Sequence, residues 1–185
     1  MNGEPSPDAE RPPAPASVAC RAVSPGDEEL LYRIYASTRF EELAPVPWTA
    51  AQKEAFLRMQ FRAQSVDYAA NFPDAAFQVI LVDGAPAGRL YVDRRGDELR
   101  IVDIALLPEH RGTGIGGALL RGLLAEAAAA GKAVRIHVEQ MNPALRLYER
   151  LGFRRTGGDG VYFLMEWTAG AGGVEADQPG GGEGG

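Results

Sequence analysis

The stretch that most restricts this chain is HRGTGIGG, residues 110–117, which runs without a break into an apolar pattern at Leu119, Leu120, Leu123, Leu124 and Ala127. Spacings of three and four put those side chains on one helix face, and Gly131 supplies the stop. A glycine-rich turn opening into a helix aims unpaired N–H groups and the positive end of the helix dipole at one point. That arrangement stabilises a phosphate or diphosphate. Two patterns coexist in the turn. Gly112, Gly114 and Gly117 spell G-x-G-x-x-G, the dinucleotide fingerprint, whereas Arg111, Gly114 and Gly116 spell R-x-x-G-x-G.

The flanks separate the two. In a dinucleotide unit the strand runs straight into the first glycine. Here Pro108, Glu109, His110 and Arg111 intervene. Glu139 closes the next strand much as a ribose-binding acid would, but the chain beyond it is too short for the rest of a doubly wound sheet. Three antiparallel strands also precede the motif. A Walker loop is excluded because no Gly-Lys-Ser/Thr follows.

Those strands are AFQVILV, PAGRLYVD and ELRIVDIALL, joined at Asp83-Gly84 and Arg95-Gly96-Asp97. Such turns mark an antiparallel meander. Upstream, ACRAV (19–23) reads as a short strand. Asp27, Glu28 and Glu29 open a helix carrying Leu30, Leu31, Ile34 and Tyr35 to about Thr38. The loop ELAPVPW follows. Thr49 then caps a second helix with Phe56, Met59 and Ala63 as its apolar stripe. After VRIHV, Asn142 as cap and Pro143 at the first helical position open a helix that buries Ala144, Leu147, Tyr148 and Leu151 and ends at Gly152. Strands near FRRTG and VYFLMEW complete the order βααβββαβαββ. The fold class is therefore α/β (α+β): a mixed, mostly antiparallel sheet of about seven strands flanked by four helices.

Composition sets the outer limits. Residues 19–167 form one domain, while the Pro-rich segment 1–18 and the Gly-rich segment 168–185 carry too little apolar surface to fold and are expected to be disordered tails. Six of the acidic residues (Glu4, Asp8, Glu10, Glu175, Asp177, Glu183) lie in the tails against Arg11 alone, so the net charge of −6 leaves the domain nearly neutral. It has no basic footprint for nucleic acid. No apolar run approaches the ~20 residues that span a bilayer. The opening MNGEPSPDAE lacks the character of a signal peptide, and Cys20 is the only cysteine. A cytoplasmic protein without disulfides, metal or membrane contact is expected, as a monomer or homodimer.

IALLPEHRGTGIGGALL, followed by NPALRLYERLGF, resembles the acetyl-CoA-binding half of the GNAT superfamily of N-acetyltransferases. The resemblance is specific from about Val79 to Phe153 and implies acetyl-CoA as cosubstrate and an amine as acceptor. It implies that Arg111, Gly112, Thr113, Gly114, Ile115 and Gly116 wrap the pyrophosphate. Ile104, Leu106 and Leu107 would lie where the fourth strand splays from the fifth and offers its backbone to the pantetheine arm, with a backbone N–H near Leu106 as oxyanion donor. Asn142 would touch the cofactor, and Tyr148, in the L-Y-x-x-x-G-F motif, would protonate the departing sulfur.

The base is left open by the sequence. His137 occupies the position of a glutamate in some relatives that acetylate protein N-termini, and imidazole titrates near neutrality. Asp103 is the alternative, and a chain of waters a third. For the acceptor, Gln60, Gln64 and Tyr68 recur at four-residue spacing, and Glu41, Glu42 and Trp48 flank the proline loop. Acids and aromatics together favour a cationic amine. A non-catalytic acyl-CoA-binding module and an acyltransferase for longer chains are the competing functions.

Overall fold

The computed structural model describes residues 17–170. Its elements are β1 (Val18–Ala22), α1 (Glu28–Leu43), α2 (Ala50–Asn71), β2 (Ala76–Val82), β3 (Ala85–Arg94), β4 (Glu98–Leu106), α3 (Ile115–Ala130), β5 (Ala133–Glu139), α4 (Leu145–Arg150), β6 (Arg154–Gly158) and β7 (Tyr162–Trp167). The seven strands form one sheet ordered β1-β2-β3-β4-β5-β7-β6. Only β4 and β5 pair in parallel, because α3 carries the chain back across the sheet, as a parallel neighbour requires. Element order and sheet character agree with the reading of the sequence.

The sheet buries both faces. Leu120, Leu123, Leu124 and Ala127 of α3 pack with Leu90, Val92, Leu99, Ile101, Val134 and Ile136 on one side. On the other, Leu31, Ile34 and Tyr35 of α1 and Leu57 and Phe61 of α2 pack over Tyr91 and Leu107. Strand β3 is covered twice, and every residue from Ala87 to Asp93 is buried. At about 25 cal/mol per Å² of apolar area removed from water, this two-layer burial is the main stabilising contribution.

Local chemistry sets the element ends. Thr49 Oγ1 accepts the Gln52 N–H at 3.2 Å while Gln52 Oε1 accepts the Thr49 N–H at 2.9 Å, a reciprocal cap at the start of α2. Asp83 and Gly84 turn β2 into β3 with φ of 50° and 81°, as a two-residue hairpin demands.

Four expectations are corrected. Helix α1 continues to Leu43 rather than stopping near Thr38, because Tyr35 and Arg39 keep finding partners on one face. The buried residues of α2 are Leu57 and Phe61, while Met59 is 55% exposed; the helix is rotated so that Phe56 and Ala63 face a cleft instead. Helix α4 begins at Leu145, with Pro143 and Ala144 in the turn before it. Asn142 still caps that turn, its Oδ1 accepting the Ala144 N–H at 2.8 Å. Val18, placed in a tail by composition, pairs with Val82 in β1, and the Ser17 N–H donates to Asp83. The remainder of the proposed N-terminal tail, and residues 171–185 of the C-terminal one, lie outside the described residues.

One glycine sets the backbone geometry beside the site. A Cβ on Gly88 of β3 would lie 2.3 Å from the Ala105 carbonyl oxygen and 2.9 Å from the Leu106 side chain. Both atoms belong to backbone or packed core, so neither yields cheaply. Gly88→Ala is expected to destabilise the fold by roughly 1–3 kcal/mol, the usual cost of overpacking. Chemical denaturation measures this, and a midpoint equal to wild type would show that β4 has room to move.

Candidate active site

The site is created by strands parting. β4 and β5 pair only from Glu98–Ala133 to Ile101–Ile136, although β4 runs on to Leu106 and β5 to Glu139. A register shift in β3–β4 at Tyr91/Val92 marks a bulge at Val102, and bulges bend a strand away from its neighbour. Beyond it the Leu107 N–H donates to Ala87 on β3. Antiparallel ladders alternate, so the peptide groups of Ile104 and Leu106 turn from β3 into the splay. Leu107 itself is buried, with its N–H committed to β3.

The glycine loop stands at the mouth of this opening. Gly112 and Gly114 hold φ of 73° and 90°, a region that favours glycine. Gly114 caps α3 without a side chain. The N–H groups of the first turn, at Ile115 and Gly116, therefore have no partner within the helix. Gly116 approaches Leu106 so closely that a Cβ would lie 3.8 Å from its side chain, which joins the anion-binding end to the splay. Thr113 Oγ1 donates to the His110 carbonyl at 2.7 Å and braces the turn. The residues fit a diphosphate followed by an amide-bearing arm.

Gly114→Val places a β-branched residue where φ is 90°. Its Cβ meets nothing within 4 Å, so the cost is backbone strain rather than collision, about 1–3 kcal/mol. Acetyl-CoA affinity is expected to fall about tenfold or more with the fold kept and the melting temperature lowered by roughly 2–12 °C; calorimetry giving wild-type affinity would exclude the loop as the anion site.

Arg111 does not point outward from the loop. Its Nε donates to the Leu106 carbonyl at 2.9 Å and its Nη2 to Ser37 Oγ at 2.7 Å, tying the loop to α1 across the splay. Tyr148 lies on the other side, 4% exposed and in edge contact with Phe153 at 5.5 Å between ring centroids. Burial, with the nearby Asp103 charge adding to it, pushes its phenol well above the ordinary value. The proton stays on the oxygen at neutral pH. The hydroxyl makes no hydrogen bond to the described residues, yet is not sealed from solvent, so it can donate outward.

Asp103 and His137 have diverged. Asp103 is 15% exposed at its side chain and lies 2.5 Å from Arg89 Nη2, with Tyr68 Oη at 3.5 Å. Both contacts fall on Oδ2, which leaves Oδ1 without a hydrogen bond among the described residues. His137 is exposed on β5, its Nδ1 3.2 Å from Arg100 Nη1. Arginine only donates, so Nδ1 accepts and the neutral ring carries its proton on Nε2. Packing around the ring and the Arg100 cation hold its pKa below 6.5. The charges around it are Arg100, Asp159 and Glu98.

A cleft of about 610 Å³ opens between α1 and α2, lined by Tyr35, Glu42, Phe56, Gln60 and Gln64, with Tyr162 from β7. Of the acceptor candidates, Glu42, Gln60 and Gln64 line it. Trp48 stands behind Phe56, with ring centroids 5.3 Å apart. Tyr68 lies deeper, against Asp103, and Glu41 is exposed at the end of α1 outside the cleft wall. Sequence reasoning did not find Arg39, whose guanidinium grips Glu139 of β5 at 2.5 and 3.0 Å and Glu42 at 3.0 Å on the cleft wall. Nor did it find Arg89 or Tyr162. Their signal is spatial, since each partner lies far away along the chain.

The sequence pattern of the Acetyltransferase (GNAT) family matches residues 31–153. The chain belongs to that family. This acetyltransferase is 31% identical over 161 residues to the mycothiol acetyltransferase of Actinosynnema mirum, an alignment that takes in 84% of the chain and 50% of that protein. The chain thus spans about half the length of that relative. Among solved structures, PaiA N-acetyltransferase from Thermoplasma acidophilum in complex with coenzyme A superposes with a TM-score of 0.62 at 21% identity, over 82% of this chain and 99% of the other. Ard1 from Thermoplasma volcanium gives 0.56 at 24%, over 82% and 97%. These likenesses carry the fold. The matched family is described as one of acetyltransferases. Among the described residues no helix is long and apolar enough to cross a membrane, and no His/Cys/Asp/Glu group could hold a metal.

Proposed function

We propose that the enzyme acetylates a primary amine, of a small molecule or a peptide end, by direct attack on the thioester, with the cleft between α1 and α2 receiving the acceptor. One observation carries this reading. Asp103 Oδ1 and the Tyr148 hydroxyl both lack a hydrogen bond among the described residues, and Asp103 is linked through Arg89 to Gln64 in the cleft wall. Acid and base thus stand on either side of the splay.

Acetyl-CoA supplies the activated acetyl group. The loop from Arg111 to Gly116 holds its diphosphate, and the peptide groups of Ile104 and Leu106 hold its arm. The Asn142 N–H donates to Glu139, its carbonyl accepts from Leu145 and its Oδ1 from Ala144, so its side-chain amide nitrogen is the group that borders the same arm. The Leu106 N–H stabilises charge growing on the carbonyl oxygen. Asp103 takes the proton that the amine loses as its nitrogen bonds to the carbonyl carbon. Tyr148 gives its proton to the sulfur as the carbon–sulfur bond breaks, and solvent restores both residues. Glu42 and the aromatic walls favour an acceptor that arrives as a cation, which releases one proton to solvent before its nitrogen attacks and the second to Asp103 as the bond forms.

The test is a panel of butylamine, 1,4-diaminobutane, free amino acids and an alanine-initiated tripeptide, with released coenzyme A thiol and an acetylated product both measured. Thiol release matched by N-acetyl product supports the reading. Tight acetyl-CoA binding with no product from any amine overturns it.

A further inference from the structure

Arg89 is 3% exposed in the middle of β3, on the face covered by α1 and α2. Its Nη2 lies 2.5 Å from Asp103 Oδ2 and 3.0 Å from Gln64 Oε1. Among the buried side-chain nitrogens and oxygens of the described residues, its Nε is the one without a partner. A guanidinium in such a place is expensive: desolvation opposes it, and an apolar residue of similar volume commonly serves packing as well or better. Its neighbours Leu90, Tyr91 and Val92 are apolar or aromatic, so this strand does not need a cation for its core.

The two groups it holds belong to the acceptor end of the site. Gln64 accepts through its oxygen, which turns its amide nitrogen away from Arg89 in a residue that lines the cleft. Asp103 receives both Arg89 and Tyr68 on Oδ2, so Oδ1 is the atom kept for another donor. One nitrogen therefore fixes two side chains on different elements, α2 and β4. It does so without touching the glycine loop or the splayed peptide groups. Fixing a reacting carboxylate in one orientation removes freedom that would otherwise be lost on the way to the transition state.

Resting on the amine-acetylation reading above, we propose that Arg89 is a positioning residue for the acceptor half of the reaction, holding Asp103 with Oδ1 toward the amine and Gln64 turned toward the cleft. Its influence is separable from cofactor binding. Removing the guanidinium frees Asp103 and Gln64 to turn away, so the loss falls on acceptor kcat/KM and not on acetyl-CoA affinity.

The experiment uses the full chain with Arg89→Met and Arg89→Lys, and as acceptor the amine of the panel that wild type acetylates fastest. Arg89→Met is expected to bind acetyl-CoA within about twofold of wild type and to lose roughly 30-fold in acceptor kcat/KM, less than the loss of the acid or base itself. Arg89→Lys offers a single ammonium to the same two oxygens and is expected to recover most of the loss. Wild-type acceptor kcat/KM in folded Arg89→Met, or a loss that Arg89→Lys does not recover, would overturn the proposal. Should Arg89→Met fail to fold, Gln64→Leu breaks the same row without changing a charge: acceptor KM is expected to rise about fivefold with acetyl-CoA affinity kept, and an unchanged KM would be equally fatal. If wild type acetylates no amine on the panel, the functional reading itself fails, a result the wild-type arm alone reveals.

Discussion

Tyr148→Phe is expected to lower turnover by roughly 10²-fold at saturating acetyl-CoA, the usual contribution of a positioned general acid. The substitution removes one oxygen from a side chain that is 4% exposed and leaves its edge contact with Phe153 intact. Helix α4 and the core around it should therefore keep their melting temperature. Binding of acetyl-CoA should also survive, because that work is proposed for the loop and the splayed peptide groups. The loss then falls on kcat and kcat/KM together, the signature of an interaction made only in the transition state. Burial holds the phenol protonated across the working range, so no basic limb from this residue is expected near neutrality. Turnover equal to wild type in the folded variant would make Tyr148 a packing residue and leave the thiolate to be protonated by solvent.

The parts of this molecule that were legible in its sequence are those set by local physics. Period and punctuation sufficed for α3, whose leucines recur at three and four and whose end is a left-handed glycine at φ 64°. The Asp83-Gly84 hairpin and the Thr49 cap are equally local. Where a helix face is decided by what lies opposite, local reading failed. Phe56, Met59 and Ala63 make as good an apolar stripe on paper as Leu57 and Phe61, and only the docking of α2 on α1 and Tyr91 chooses between them. Residue chemistry could propose a cofactor side because a glycine turn opening a helix keeps its amides contiguous in the chain. The acceptor side has no such contiguity. Gln64, Arg89 and Asp103 come from three elements, and Arg39 reaches Glu139 across 100 residues.

His137 shows the same limit from the other direction. Its position along β5 suits a base, yet strand alternation places it beside Arg100 and Glu98 on the part of the sheet where β4 and β5 are still close. An imidazole whose Nδ1 lone pair already accepts from a guanidinium must break that bond before it can take a proton. Asp103 lies past the bulge on the diverging strand and keeps an oxygen open. A shift of one strand and a few residues thus separates a histidine in an ionic cluster from a carboxylate at the splay.

Asp103→Asn is therefore expected to cost about 10³-fold in kcat/KM for the amine, inside the 10²–10⁴ range of a lost general base. Asparagine retains an oxygen for Arg89 but cannot take the proton, and it leaves a buried cation less well compensated. Far-ultraviolet circular dichroism and acetyl-CoA binding must be shown intact before the rate is read. His137→Gln is the paired measurement. A base titrating at His137 would give an acid limb centred below 6.5, since its pKa is lowered, with activity lost as pH falls through that value. If Asp103 is the base, His137→Gln leaves the rate within about threefold of wild type across that range, while Asp103→Asn takes the full loss. The reverse pattern would transfer the role to His137. A loss below tenfold in both variants would mean that water, ordered by Tyr68 and Gln64, carries the proton, because a relay through solvent survives the removal of any single side chain that a direct transfer cannot.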